Sequence, residues 1–336
     1  MGRVSETDRS RPRRRRPFRK AVGLVVLLGV IGYFVVQRES NNGASFCTAS
    51  ATGTGSAGAG TVQTYEMTPE QAANAATIAA VGISKGLPDR AVTIALATAM
   101  QESALRNLDH GDRDSLGLFQ QRPSQGWGTP EQIMDPVYSA GIFYDRLAEI
   151  KGYTRLPLTV AAQKVQLSGF PQAYAKHEPD ATVLTAAFGE NGTPASLACS
   201  GPAPSAGDPE KVRAELARAF GAPAREALGA GRAGAPAGRP AAGGSVPEPE
   251  VGLRLKEGGG PAEARRGRAM AHWAVARSKE LGIARVSYDG SSWAAGRDGG
   301  AWQGKSGGSG RKAGAGDPHD AAPGEVRIFV SRGHAR

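Results

Sequence analysis

The stretch 101–123, which reads QESALRNLDHGDRDSLGLFQQRP, decides how this 336-residue chain is interpreted. It follows 91–100 (AVTIALATAM), a run without charge, glycine or proline whose apolar side chains fall on all sides of a helix. That pattern is typical of a helix at the centre of a core. Glu102 continues one stripe of this helix, so its carboxyl is predicted to lie at the edge of the buried face. Burial would raise its pKa and suit it to general-acid catalysis, and a salt-bridged Glu at a frayed helix end is the alternative.

Two elements of this stretch resemble the signature of the soluble lytic transglycosylases of the lysozyme-like superfamily. The pair Glu102-Ser103 ends the buried helix, and the turn 117–120 (GLFQ) follows at an interval that fits the family pattern. The resemblance covers roughly residues 65–195 and implies a mainly α, lysozyme-like helical domain. A third family block, of the type Ala-Tyr-Asn-Ala-Gly, is altered here to AAFGEN at 186–191.

The resemblance also implies a substrate and a reaction. The substrate would be the glycan strand of peptidoglycan, cut between N-acetylmuramic acid and N-acetylglucosamine. Glu102 would donate a proton to the glycosidic oxygen and then, as a carboxylate, remove the proton of the muramyl 6-hydroxyl. A 1,6-anhydro ring forms in this way, and the substrate's own acetamido group can stabilise the sugar cation. No cofactor and no metal is predicted.

Two alternatives to this reaction stay open. Hydrolysis by a muramidase needs a second carboxylate about 5 Å or about 6.5–9.5 Å from the first. Asp109, Asp112 and Asp114, in the loop between the two motif elements, are the candidates, although such a loop is also typical of a solvated polar turn. The other alternative is a lysozyme-like module that binds glycan without cutting it.

The predicted substrate-binding residues come from the same resemblance and from residue type. Ser103 is expected to orient the catalytic carboxyl, Gly117 to let the backbone approach the glycan, and Gln120 to hydrogen-bond an acetamido or hydroxyl group. The whole predicted set is Ser103, Ser115, Gly117, Leu118, Phe119, Gln120, Gln121, Trp127 and Tyr144.

Aromatic residues extend this prediction beyond the motif. Trp127 is a candidate ring for stacking on a sugar. Tyr144 and Tyr174 are candidates for the polar assistance that the tyrosine of the third family block would give. Core packing is the alternative for each of these three residues, and also for Leu118 and Phe119.

The charge distribution argues against nucleic-acid binding. Of the net charge of +10, residues 1–20 carry +7, with nine Arg and Lys against two acids. The excess is therefore a basic cytoplasmic tail, and no nucleic-acid partner is predicted. Residues 21–36 are uncharged and apolar, about 24 Å long as a helix, which predicts a single membrane-spanning helix over 21–37. The basic residues before it place everything that follows outside the cell membrane, and a cleaved signal peptide is the alternative.

Cys47 and Cys199 are the two cysteines, and they bracket the lytic transglycosylase-like domain predicted over 65–200. Outside the membrane such a pair is expected to form one disulfide, with two free thiols or a lipidated Cys47 as alternatives. Residues 38–64 are rich in Gly, Ser, Ala and Thr, and this composition predicts a flexible linker between the membrane and the domain.

Helix-start signals recur along the domain. The sequence Thr-Pro-Glu-Gln occurs at 68–71 and again at 129–132, and each copy reads as a capping box with proline at the first helical position. Helices are further predicted over 136–149, 159–167 and 171–188, and no alternating strand pattern of any length appears.

The C-terminal third of the chain is predicted to be less compact. Residues 201–260 are interpreted as a low-complexity connector with one helix over 208–220. Residues 261–336 are interpreted as a small α+β module with a Gly-rich disordered insert, which is expected to contact a cell-wall protein partner. Its predicted elements are a helix over 262–281 and strands over 285–288 and 326–330.

Overall fold

A computed structural model of the chain describes residues 45–52, 61–167, 171–189, 196–232, 248–296, 300–304 and 319–333. The predicted basic tail and the predicted membrane segment, residues 1–37, lie outside these ranges. No helix within the ranges is both long and apolar enough to cross a membrane. The described residues belong to one compact unit of mixed α/β architecture, in which helices predominate.

The first two helices of the described residues form the centre of the core. Helix α1, Pro69–Ser84, begins at the predicted capping box: the Thr68 hydroxyl accepts from the Gln71 N–H, and the Gln71 side chain accepts from the Thr68 N–H. Helix α2, Asp89–Ser103, is the helix predicted ahead of Glu102, and every residue from 91 to 100 is buried. Its all-round apolar pattern therefore indicated its position correctly.

Side chains of α1 fix the end of α2. The chain turns at Ala104 and Leu105, whose φ angles of 52° and 59° lie in the left-handed region. Gln71 donates to the Ala104 carbonyl (2.9 Å), and Asn74 donates to the Leu105 carbonyl (2.8 Å). These hydrogen bonds satisfy carbonyl groups that a helix end leaves without partners. Glu102 consequently lies in the last turn of a helix whose end is held in place.

Four shorter helices complete this part of the core: α3 (Pro130–Ile133), α4 (Pro136–Glu149), α5 (Leu158–Gln166) and α6 (Glu178–Phe188). The capping box before α3 and the bounds of α4 confirm the predictions. The single helix predicted over 171–188 is wrong, because a 3₁₀-helix, Pro171–His177, precedes α6. Pro179 lies in the first turn of α6, where its missing N–H costs no hydrogen bond, whereas inside a continuous helix it would break one.

A three-stranded antiparallel sheet closes the ends of this region. Strand β1, Phe46–Thr52, lies between β2, Val62–Met67, and β3, Leu197–Ser200. Cys47 lies opposite Cys199, and the predicted disulfide joins them. Strands therefore occupy part of the range predicted as a flexible linker, and the prediction is corrected there. The small side chains permit strand pairing, and the disulfide holds β1 in register with β3.

The described residues of the C-terminal part form four helices and a second sheet. The helices are α7 (Pro209–Phe220), α8 (Ala222–Arg232), α9 (Gly260–Ala276) and α10 (Ser278–Leu281). The strands are β4 (Glu250–Arg254), β5 (Ile283–Tyr288), β6 (Ser291–Ala294), β7 (Gln303–Gly304) and β8 (Glu325–Val330), in the antiparallel order β4-β8-β5-β6-β7. The predicted helix over 208–220 and the two predicted strands are present. Much of the predicted insert lies outside the described residues.

This C-terminal part packs on the helices that carry Glu102. Helix α9 lies against α1, and its Arg265 pairs with Asp89 at the start of α2. Arg218 of α7 pairs with Asp135 (2.6 Å), the residue that caps α4. A segment predicted as a connector thus supplies buried contacts, because the amphipathic face of α7 has the body of the protein to pack against.

Candidate active site

Glu102 projects from the last turn of α2 toward an open groove and is half-buried. The hydroxyl of Tyr174 donates to its Oε1 at 2.6 Å. Tyr174 is fully buried and comes from the 3₁₀-helix Pro171–His177. Burial is the largest influence on the pKa of Glu102 and raises it, and hydrogen bonds from Tyr174 and Gln166 oppose that rise without cancelling it. The carboxyl is therefore held in a fixed position and retains its proton at higher pH than an exposed Glu.

The groove beside Glu102 has a volume of about 480 Å³. One wall is built by the loop that follows α2, and the other by the end of α5, with the Arg146 side chain of α4 added. The loop contributes Asp112, Ser115, Gln120, Arg122, Gln125 and Trp127, and α5 and its cap contribute Val165, Gln166 and Leu167. The groove thus combines an acid with amide, hydroxyl, guanidinium and aromatic groups.

Ser103 is buried and acts on the neighbouring turn instead of the carboxyl. Its hydroxyl lies 3.0 Å from the Ala99 carbonyl and 2.8 Å from the Leu118 carbonyl. The expected role of orienting Glu102 directly is therefore not seen. Ser103 links the end of α2 to the turn 117–120, and it fixes the distance between the acid and the opposite wall.

Four of the predicted substrate-binding residues are core residues. Leu118 and Phe119 are fully buried, and Phe119 stacks on Phe143 with ring centroids 4.6 Å apart. The buried Gln121 amide donates to the Ser139 carbonyl (3.0 Å). Tyr144 is buried, and its hydroxyl donates to a carbonyl of α1. Core packing, the predicted alternative for Leu118, Phe119 and Tyr144, therefore applies to these three. Gln121 is buried as well, although no such alternative was predicted for it.

Ser115, Gln120 and Trp127 line the groove as predicted. Gln120 has a left-handed φ of 47° and also donates weakly to the Gly117 carbonyl (3.3 Å). Trp127 is not an open stacking surface, because the guanidinium carbon of Arg146 lies 3.5 Å from the centre of its ring. One face of the indole is therefore covered by a cation.

Gly117 has a left-handed backbone and packs closely against the end of α3. Its φ is +76°, and a Cβ atom added there would lie 2.7 Å from the carbonyl oxygen of Ile133. A side chain at position 117 would therefore push the turn 117–120 away from the end of α3. That displacement would change the position of the groove wall that the turn helps to build.

We predict that Gly117→Ala lowers the free energy of unfolding by at least about 1–2 kcal/mol, the approximate cost of the left-handed backbone alone. Gly126→Ala is the matched control, since its φ is +72° and no atom lies within 4 Å of the added Cβ. Urea unfolding measures the loss of stability in both variants, and the larger loss in Gly117→Ala gives the cost of the clash with Ile133. Equal losses in the two variants would show that there is no such clash.

Of the three candidate second carboxylates, one lines the groove. Asp114 is paired with Arg122 (2.7 Å), which holds the pKa of its carboxyl far below the usual range. Asp109 is exposed and bonds to His110. Asp112 lines the groove, and within the described ranges its carboxylate makes no hydrogen bond or ion pair. Asp112 is therefore the residue to test for hydrolysis.

Several contacts around Glu102 carry no signal in the sequence. Gln166, at the end of α5, donates to the Phe119 carbonyl (2.7 Å) and lies beside the acid. His177 bonds to the side chain of Gln101 (3.1 Å), and Tyr174 of the same 3₁₀-helix bonds to Glu102. The 3₁₀-helix therefore contacts two consecutive residues of α2. Gln166 and His177 are distant from the motif in sequence.

The chain was compared with known proteins. No protein-family model matches it, and the search of curated proteins gives no significant match. Within the described ranges, no three His, Cys, Asp or Glu side chains are grouped so that they would hold a metal ion. The function is therefore inferred from the groove and from the residues that surround Glu102.

Proposed function

We propose that the chain is a lytic transglycosylase that cuts the glycan strand of peptidoglycan between N-acetylmuramic acid and N-acetylglucosamine. The observation that carries the proposal is the position of Glu102. Its carboxyl lies in an open groove, its pKa is raised by burial, and a buried tyrosine holds one of its oxygens. A structural glutamate would be expected to pair with a cation, and within the described ranges Glu102 pairs with none.

The reaction uses Glu102 twice. The protonated carboxyl donates its proton to the glycosidic oxygen as the bond from that oxygen to C1 of the muramyl sugar breaks. The substrate's acetamido group stabilises the cation at C1. The carboxylate then removes the proton of the 6-hydroxyl, whose oxygen bonds to C1, and Glu102 is protonated again. Tyr174 donates to Oε1 and so holds the orientation of the carboxyl beside the groove.

Hydrolysis is the second candidate, because Asp112 lines the same groove. In a muramidase, water replaces the 6-hydroxyl and the product has a reducing end. The two reactions share Glu102 as the acid and differ in their products.

The proposed setting is the outer side of a cell membrane. The disulfide supports this setting, because disulfides persist in oxidising compartments. Residues 21–37 would anchor the chain, with the groove facing the wall. A cell-wall protein partner for the C-terminal part stays a prediction.

The test is incubation of the full chain, purified in detergent, with peptidoglycan sacculi. Soluble muropeptides should accumulate in proportion to time and protein. Sedimentation with the sacculi, measured in parallel, separates cleavage from binding. Binding without release would support the non-catalytic module, and neither binding nor release would contradict both proposals.

Tyr174→Phe is expected to lower kcat/KM by about 10-fold or more, because the carboxylate that forms as Glu102 gives up its proton loses a hydrogen bond. The Tyr174 hydroxyl lowers the pKa of Glu102, so its removal raises that pKa. Since activity needs the protonated acid, the loss of activity at high pH should move to higher pH in this variant. A pH profile of muropeptide release measures the shift.

Tyr144→Phe is the matched control for this prediction. It removes the hydroxyl of another buried tyrosine, which bonds to the Ile78 carbonyl (3.0 Å) away from the groove. Its pH profile should equal that of the wild type. The same profile in both variants would show that Tyr174 acts on the fold alone.

A further inference from the structure

Arg146 is another ionisable group of the groove, and two contacts hold its side chain in place. Arg146 lies in the last turn of α4, and its guanidinium stacks on Trp127 at 3.5 Å. Its Nη2 donates to the Gly126 carbonyl at 2.8 Å. Stacking on an aromatic ring and a hydrogen bond to the backbone together fix the plane of the guanidinium, which lowers the entropic cost of binding a ligand there.

The charge of Arg146 is not neutralised by the protein. The other arginine of the groove, Arg122, is paired with Asp114. Within the described ranges, no carboxylate lies in ion-pair contact with Arg146. A guanidinium has five N–H donors, and the bond to Gly126 uses one of them. The remaining donors include the pair that suits a planar anion such as a carboxylate.

We propose that Arg146 is an anion-binding residue that recognises a carboxylate carried by the glycan substrate. The inference rests on the proposed function, and it makes the stacked pair Trp127–Arg146 a carboxylate subsite in place of the predicted sugar platform. In peptidoglycan the carboxylate has two sources: the peptides attached to the muramyl sugars, or the lactyl group left when those peptides are removed.

Binding is measured by calorimetry with the full chain carrying Glu102→Gln, so that no probe is degraded. The probes are soluble strands with peptides attached, strands stripped of peptides by an amidase, and neutral N-acetylglucosamine oligosaccharides. Arg146→Met keeps an apolar side chain over Trp127 and removes the charge. It should weaken binding of a carboxylate-bearing probe by about 10-fold or more and leave the neutral probe unchanged.

Two further variants control for packing and for surface charge. Arg146→Lys keeps the charge without the planar donor pair and should restore part of the affinity. Arg155→Gln removes an exposed charge outside the groove and should change nothing. The Arg146-dependent binding should also weaken as salt rises. Of the two carboxylate-bearing glycan probes, the one whose affinity for the protein Arg146→Met lowers more identifies the source of the carboxylate.

Equal effects of Arg146→Met on all three probes, or no effect on any, would overturn the inference while leaving the cleavage proposal intact. Arg146-dependent binding by a wild-type chain that releases no muropeptides would uphold the inference and overturn the cleavage proposal. Absence of binding to every probe would overturn the inference as well.

Discussion

Glu102→Gln is expected to lower the release of muropeptides from sacculi by about 10²–10⁴-fold, the range that general acid–base catalysis contributes. An amide neither donates a proton to the glycosidic oxygen nor removes one from the 6-hydroxyl. Its oxygen still accepts the Tyr174 hydroxyl, so the geometry of the groove is kept. The rate of release by wild type and variant measures the effect, with Glu149→Gln, an exposed Glu of α4, as the control.

The stability of the same variant shows that the loss is chemical. Burial raises the pKa of Glu102 above 4.5, its ordinary value, so the folded chain binds more protons than the unfolded chain between these two values. The contribution of Glu102 to the stability of the wild type therefore falls as pH rises from about 4.5 through the raised pKa, and this contribution is absent in Glu102→Gln. We expect a higher melting temperature for the variant at neutral pH. A lower one would point to a damaged fold.

Replacement of both Cys47 and Cys199 by alanine is expected to lower the free energy of unfolding by about 2–5 kcal/mol. The disulfide joins residues 152 positions apart, and so long a loop gives a large constraint on the unfolded chain. It also holds β1 against β3 at the end of the domain. Urea unfolding at constant temperature measures the loss.

Reduction of the wild type supplies the control for this prediction. A reductant should lower the stability of the wild type by a similar amount and leave the double variant unchanged. A wild type that unfolds at the same urea concentration with and without reductant would contradict the stabilising role of the disulfide.

Local sequence rules predicted the features that depend on neighbouring residues. The uncharged run 91–100 indicated the central helix, the two Thr-Pro-Glu-Gln sequences indicated helix starts, and the two cysteines indicated the disulfide. The prediction of Glu102 as the catalytic acid depends on a helix pattern and a motif that coincide there. The helix signals each lie within a few neighbouring residues. The disulfide signal comes from residue type, because cysteine pairs outside the membrane are commonly oxidised.

Features that depend on distant contacts were not predictable. Tyr144 and Tyr174 were equal candidates, and only the folded chain brings Tyr174, 72 positions away in sequence, to Glu102. The direction of the side chains in the turn 117–120 was also not predictable from the sequence. Phe119 and Gln120 are adjacent, but Phe119 points into the core and Gln120 points into the groove. Residues 46–52 form a strand although their composition predicts a linker, because small polar residues are common in both structures.

The most direct test of the central claim is mass spectrometry of the soluble products that the full chain releases from sacculi. We predict muropeptides that end in 1,6-anhydro-muramic acid and are one water lighter than the products of hydrolysis. These products should be absent with Glu102→Gln. Reducing muramyl ends, or equal release by the variant, would contradict transglycosylation by Glu102.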